Sequence, residues 1–273
     1  MTALRLDTLD LYLTDRDVRI LEDLEQYRLL TTRQIQRLHL PAKPFGEHAT
    51  VSAATRGTTR ILTRLETLGA IARLERRIGG SKHGSAVTTW QLGGAGERYL
   101  RARRGDSTRR RYSEPSPTFV DHTLATADVA VALREHSHLN GYDVLHIQAE
   151  PACWRPFTGP TGAAITLKPD LAIATADQFT ETHSLVEVDL ATEHLPVIIR
   201  KCRLYQQYFQ TGIEQNALGL FPAVVWLVPA PKRATAIQKA IHADPSLDPD
   251  LFWITLLDQA VPQLAPYSSE HTT

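Results

Sequence analysis

Two short acidic motifs stand in the second half of this 273-residue chain. Pro169-Asp170 opens one apolar run, and Glu187-Val188-Asp189 closes the next. Metal-dependent phosphodiester cleavage needs carboxylates in such places. A hard cation such as Mg²⁺ or Mn²⁺ takes carboxylate oxygens, and two neighbouring strands can aim Asp170 and Glu187 at one point although they stand seventeen positions apart. Other chemistries find no support. There is no His-Glu-x-x-His pair, no Gly-x-Ser-x-Gly elbow and no phosphate-binding glycine loop, and no organic cofactor is called for. Cys153 and Cys202 lack a Cys-x-x-Cys partner, which argues against a zinc knuckle or a disulfide framework, so both are expected as reduced thiols.

The elements that must position the acids are legible as patterns. From Thr118 to His138, Val120, Leu124, Ala127 and Val131 recur at helical spacing and define one buried face. Strands follow at Tyr142 to Ala149, at Leu171 to Ala174 and at Leu185 to Leu190. A long helix is expected from about His194 to Gln210. The unbroken apolar run Ala223 to Val228 suits a strand buried on both faces. A helix over Lys232 to His242 and a last strand, Phe252 to Leu256, complete the order α-β-β-β-α-β-α-β.

A net charge of zero conceals a split. Residues 1 to 112 hold 21 Lys and Arg against 12 Asp and Glu, and residues 113 to 273 hold 9 against 18. A basic half points to a polyanionic partner, most often nucleic acid, and an acidic half is consistent with clustered carboxylates. In the basic half Thr14-x-x-Asp17 begins a helix whose apolar face is expected to run through Val18, Leu21 and Leu24 to Leu29 and Leu30. Thr31-Thr32 caps a short second helix, and a third runs from about Ala54 to Leu68 and stops at Gly69. At about 100° per residue, Arg56, Arg60 and Arg64 form one stripe on that helix beside Thr63 and Thr67, while Ile61, Leu62, Leu65 and Leu68 gather opposite. A hairpin follows, with Arg73 and Arg76 on its first strand and Lys82 and His83 at a glycine-rich tip. Gly93-Gly94-Ala95-Gly96 reads as a strand-to-helix turn, leading to a helix over about Ala95 to Arg104. The polar stretch 105–117 reads as a linker.

Three helices and then a hairpin resemble a winged helix-turn-helix, whose third helix enters the major groove of duplex DNA while the wing touches phosphates. The acidic half resembles the PD-(D/E)XK nuclease-like superfamily, with its α-β-β-β-α-β core and mixed central sheet. The whole arrangement is similar to the replication-relaxation family of plasmids and other bacterial mobile elements. His122 near a helix start, Pro169-Asp170, Glu187-Val188-Asp189, and then Lys201 and Tyr205 on the next helix match that family's order of motifs. The domains expected are 1–104, a winged helix-turn-helix, and 118–273, a nuclease-like domain. One departure bears on activity: where active members of the superfamily carry a lysine, this chain has Asp189. Lys201, one turn before Tyr205 on the same face, can reach the same point in space. Asp189 is then a third metal ligand beside Asp170 and Glu187, a partner of Arg200 or a helix cap.

The resemblance implies a double-stranded DNA-binding protein acting in replication or in DNA relaxation and transfer, with replication or conjugation proteins and a second copy as further partners. A Mg²⁺- or Mn²⁺-dependent endonuclease, with Asp170, Glu187 and Lys201 as its catalytic set, is the rival. A non-catalytic docking scaffold is the third reading. Neither a basic-flanked apolar leader nor a run of eighteen apolar residues occurs, so a cytoplasmic protein that spans no membrane is expected.

Overall fold

A computed structural model of the chain describes residues 9–74, 88–106 and 115–266. The chain divides into two compact units, Met1–Val131 and Ala132–Thr273. Among the described residues no helix is long and apolar enough to cross a membrane.

In the first unit α1 (Asp15–Tyr27) begins at a reciprocal capping box between Thr14 and Asp17, and α2 (Thr32–His39) at a second one between Thr31 and Gln34. Each box satisfies two helix-start N–H groups locally, which is why both starts are legible in sequence. Between them the structure departs from the expected pattern. Leu29 and Leu30 do not extend the face of α1 but form β1 (Leu29–Thr31). Arg28, at φ 65°, turns the chain out of the helix. Both leucines are then buried by antiparallel pairing with β3 (Thr89–Leu92), in register Leu30 to Trp90. That partner is too distant in sequence to show in a local period.

The third helix, α3 (Val51–Thr67), is capped by the Thr50 hydroxyl. It buries Ala54, Thr58, Leu62 and Leu65, while Ile61 and Leu68 are half-buried. Gly69 follows at φ +68°, a conformation that glycine adopts without steric cost and that ends the helix. β2 (Ile71–Arg73) pairs with β3 to complete a three-stranded antiparallel sheet in the order β1-β3-β2. The hairpin tip, with Arg76, Lys82 and His83, lies outside the described residues, as does 107–114 of the expected linker. After Gly93, α4 (Gly94–Arg104) begins as the glycine-rich turn suggests. It is tied to α1 by the Arg104 guanidinium on Glu25.

α5 (Pro117–Asn140) carries both Ala127 and Val131 fully buried. Gln34 on α2 donates to the Leu124 carbonyl at 2.9 Å and to the Asp128 carboxylate at 2.8 Å. The stretch of α5 up to Val131 is therefore fastened to α2 within the first unit.

The second unit is built on a mixed five-stranded sheet in the order β10-β9-β8-β7-β4. β4 (Asp143–Ala149), β7 (Leu171–Ala176) and β8 (Glu181–Val188) are antiparallel neighbours. β8, β9 (Ala223–Val228) and β10 (Phe252–Leu256) run parallel, joined by crossover helices α6 (Leu195–Gln210) and α8 (Pro231–His242). Some elements were not expected. A hairpin of β5 (Arg155–Thr158) and β6 (Ala164–Leu167) separates β4 from β7, and a short helix, α7 (Ile213–Leu218), follows α6. β5 contains Pro156 and is only four residues long, so neither alternation nor composition marks it.

The core of this unit lies between the sheet and the helices α6 and α8. Leu185, Val224 and Trp226 meet Ile198, Cys202, Tyr205 and Tyr208 from α6 and Ile237 and Ile241 from α8. Cys153 and Cys202 are buried free thiols. This packing fixes α6 over the ends of β7 and β8 that carry the acidic motifs.

Candidate functional site

The antiparallel register of β7 and β8 pairs Leu171 with Val186, so the next residues outward, Asp170 and Glu187, come side by side. Asp170 is 8% exposed and Glu187 2%. The Val188 N–H donates to Asp170 Oδ2 at 2.7 Å, which holds that carboxylate against the end of β8. Glu187 is met from above by α6. Lys201 Nζ forms an ion pair with Glu187 Oε2, and the Tyr205 hydroxyl donates to Glu187 Oε1 at 2.5 Å. Lys201 and Tyr205 sit one helical turn apart, so one face of α6 delivers both donors to one carboxylate. Asp170, Glu187, Lys201 and Tyr205 thus lie together at the adjoining ends of β7 and β8.

Burial pushes the Glu187 carboxyl up to about 8, with Lys201 pulling it down and the Asp170 charge adding to the rise. Burial works against the charged form of Lys201, but the charges of Glu187 and Asp170 outweigh it and hold Lys201 above its ordinary value. Burial and the neighbouring Glu187 charge also hold Tyr205 well above its ordinary value, so its hydroxyl stays protonated and keeps donating. A carboxylate this deep is costly unless paired, and these two donors supply the pairing.

Asp189 has a different setting from Glu187. It pairs not with Arg200 but with Arg233 on α8, at 2.6 Å from Nε to Oδ2 and 3.3 Å from Nη2 to Oδ1. Its Oδ1 also accepts from the Ala191 N–H at 2.9 Å. Arg233 goes on to the Glu193 carbonyl at 2.6 Å. The partner was missed because it lies 44 residues away. The signal was nevertheless present in the parallel pairing. β8 and β9 end side by side, with the Asp189 N–H bonded to the Leu227 carbonyl at 2.9 Å, so the residues following each strand become neighbours. Arg233 falls in the first turn of α8, where the helix dipole disfavours a cation. The Asp189 charge offsets that.

Among the described residues no group of three or more His, Cys, Asp or Glu side chains is arranged to hold a metal ion. Both Glu187 oxygens and both Asp189 oxygens are taken by protein donors. As they stand, these carboxylates do not fit a resident Mg²⁺ or Mn²⁺.

The arginine stripe of α3 is divided in its roles. Arg56 and Arg60 are exposed, with Thr63 and Thr67 exposed beside them. Arg56 donates to Ser52 Oγ on its own helix at 2.8 Å. Arg64 instead reaches across to α1. Its Nη2 lies 2.6 Å from both oxygens of Asp17, and its Nη1 donates to the Tyr12 carbonyl at 2.8 Å. Asp17 is 1% exposed. Burial would raise its carboxyl, but the bonds from Arg64 and Thr14 outweigh that and hold it below the ordinary range. Arg64 is thus a structural bracket, which corrects its reading as a groove contact equivalent to Arg56 and Arg60. Arg73 is likewise engaged, bonded to Glu66 at 3.0 Å and lying 5.0 Å from the centre of the Trp90 ring. His122 lies on α5, its carbonyl accepting from the Thr126 hydroxyl at 2.9 Å.

No curated protein and no solved structure matches the chain. The family model described as replication-relaxation matches residues 21–224, which takes in α3, Asp170, Glu187, Lys201 and Tyr205. With three quarters of its length matched in this way, the chain belongs to the replication-relaxation family.

Proposed function

We propose that the chain is a double-stranded DNA-binding protein of a plasmid or other mobile element, acting in the cytoplasm in replication or in DNA relaxation and transfer. The observation that carries this reading is the free face of α3. Arg56, Arg60 and Thr63 are exposed on the side opposite the buried Leu62 and Leu65. The preceding helix α2 and the following β2–β3 pair support reading α3 as the third helix of a winged helix-turn-helix, in which this face would enter the major groove. The basic balance of the first 112 residues agrees with a polyanionic partner.

Each arginine contact is worth about 1–3 kcal/mol, so Arg56→Ala/Arg60→Ala should bind duplex DNA at least about tenfold more weakly than the parent. Neither residue holds the fold, so melting should stay unchanged. Anisotropy titration of a labelled duplex checks this, and parental affinity in the double variant would refute the groove assignment.

The second unit is in this reading a PD-(D/E)XK-like scaffold whose acids are neutralised from within. Support comes from Lys201 and Tyr205 on Glu187 and from Arg233 on Asp189. The endonuclease reading requires Lys201 to release Glu187 before a cation could enter. Supercoiled plasmid incubated with the protein, with and without Mn²⁺, should remain supercoiled in both. Metal-dependent nicking that Asp170→Ala abolishes would establish the enzyme and overturn the scaffold.

A further inference from the structure

α3 carries a repeat that helix formation does not require. The dipeptide Thr-Arg recurs every four residues, as Thr55-Arg56, Thr59-Arg60 and Thr63-Arg64. Residues four apart share a helix face, so the repeat lays a threonine stripe beside the arginine stripe. Thr59 and Thr63 are exposed and Thr55 is half-buried. A branched side chain loses rotamer freedom in a helix, and in water it gains no packing in return.

The hydroxyls of the first two pairs are turned back onto the helix. Thr55 donates to the Val51 carbonyl at 2.9 Å, and Thr59 donates to the Thr55 carbonyl at 2.9 Å. A hydroxyl whose one hydrogen is committed to the carbonyl a turn earlier has none to give a partner, so the group left to offer outward is the methyl. Charge describes the surroundings of these methyls. Arg56 and Arg60 are exposed beside them, α3 has no acidic residue before Glu66, and that carboxylate is bonded to Arg73 at 3.0 Å. Arg64 of the third pair is held by Asp17. The outward-facing pairs are therefore Thr55-Arg56 and Thr59-Arg60.

We infer that Thr55 and Thr59 are specificity residues that read thymine by its 5-methyl group in the major groove, next to base-edge contacts from Arg56 and Arg60. This rests on the DNA-binding reading and adds to it the bases that α3 selects. Thymine alone among the four bases presents a methyl group in that groove, and a threonine methyl packs against it; guanine presents the paired acceptors that suit arginine. The preferred duplex thus carries thymine close to guanine.

The test uses the full chain to select duplexes from a random-sequence pool. The recovered duplex is then remade with deoxyuridine at each thymine in turn, which removes the methyl and keeps the base pair. At one or two positions this should weaken binding about fourfold, the size expected of one buried methyl. Thr55→Val/Thr59→Val keeps the methyls without the hydroxyls and should bind the recovered duplex like the parent. Thr55→Ser/Thr59→Ser keeps the hydroxyls without the methyls and should bind the thymine and uridine duplexes alike. Arg60→Ala should weaken binding to both and preserve the difference between them.

If the chain binds the random pool but enriches no sequence, or if every uridine duplex binds like the original, the threonines do not read thymine and the DNA-binding reading stands. A uridine penalty that persists in the double serine variant would place the methyl contact elsewhere and overturn the inference. Weaker binding by the double valine variant would make the hydroxyl the reading group, with the same result. If the chain binds no duplex at moderate salt, both readings fall together.

Discussion

Arg64→Ala should destabilise the unit containing α1 and α3 by about 2–3 kcal/mol, because it leaves the buried Asp17 carboxylate with only its Thr14 contacts. Arg60→Ala, four residues earlier on the same stripe, should leave melting unchanged. The contrast separates a bracket from a surface cation. It also has a definite pH signature. The Asp17 carboxyl is held below its ordinary range in the folded chain. Its contribution is therefore present above the unfolded value, about pH 4, and is lost as pH falls through the folded one. The deficit of Arg64→Ala should be full at neutral pH and shrink in acid. Urea denaturation at neutral and acidic pH measures it, and equal stability of Arg64→Ala and parent at neutral pH would exclude the bracket.

Lys201→Met should cost about 3–5 kcal/mol at strongly alkaline pH, since there it strands an ionised Glu187 in a dry interior. At lower pH the cost should fall. The folded-state value of Glu187 is raised by burial to about 8. The stability linked to its bound proton is thus fully present below the unfolded value, about pH 4.5, and is lost as pH rises through the folded one. Without Lys201 the proton is held still more tightly, so toward pH 5 the variant carries a neutral carboxyl and no stranded charge. Pairing the change with Glu187→Gln should remove most of the pH dependence, because the amide cannot ionise. Denaturation curves for the three proteins at both pH values test this. A Lys201→Met cost independent of pH would mean that Glu187 is not the group responsible.

Features set by neighbours a few residues apart could be read directly from the chain. Both capping boxes join residues three apart and form as soon as their helices do. The opposed faces of α3 follow from its period, with Leu62 and Leu65 buried and Arg56 and Arg60 exposed. The run Ala223–Val228 is buried as its composition demands, and the four-residue spacing of Lys201 and Tyr205 brings both to one carboxylate. The short strand β1 and the hairpin β5–β6 escaped because three or four residues have no measurable period, and what makes β1 a strand is its pairing with β3.

Residue types and spacing were enough to say which side chains are cations and carboxylates, which helix face they share, and that Asp170 and Glu187 could meet. Which cation answers which carboxylate was decided only by tertiary structure. Asp189 took Arg233 rather than Arg200 because parallel pairing of β8 and β9 brings their ends together. Arg64 took Asp17 because α3 packs across the start of α1, although its periodicity is that of Arg60. The reason is physical: a helical or strand period specifies a direction from the backbone, but an ion pair also needs the position of the other backbone, and that is known only once the chain has packed.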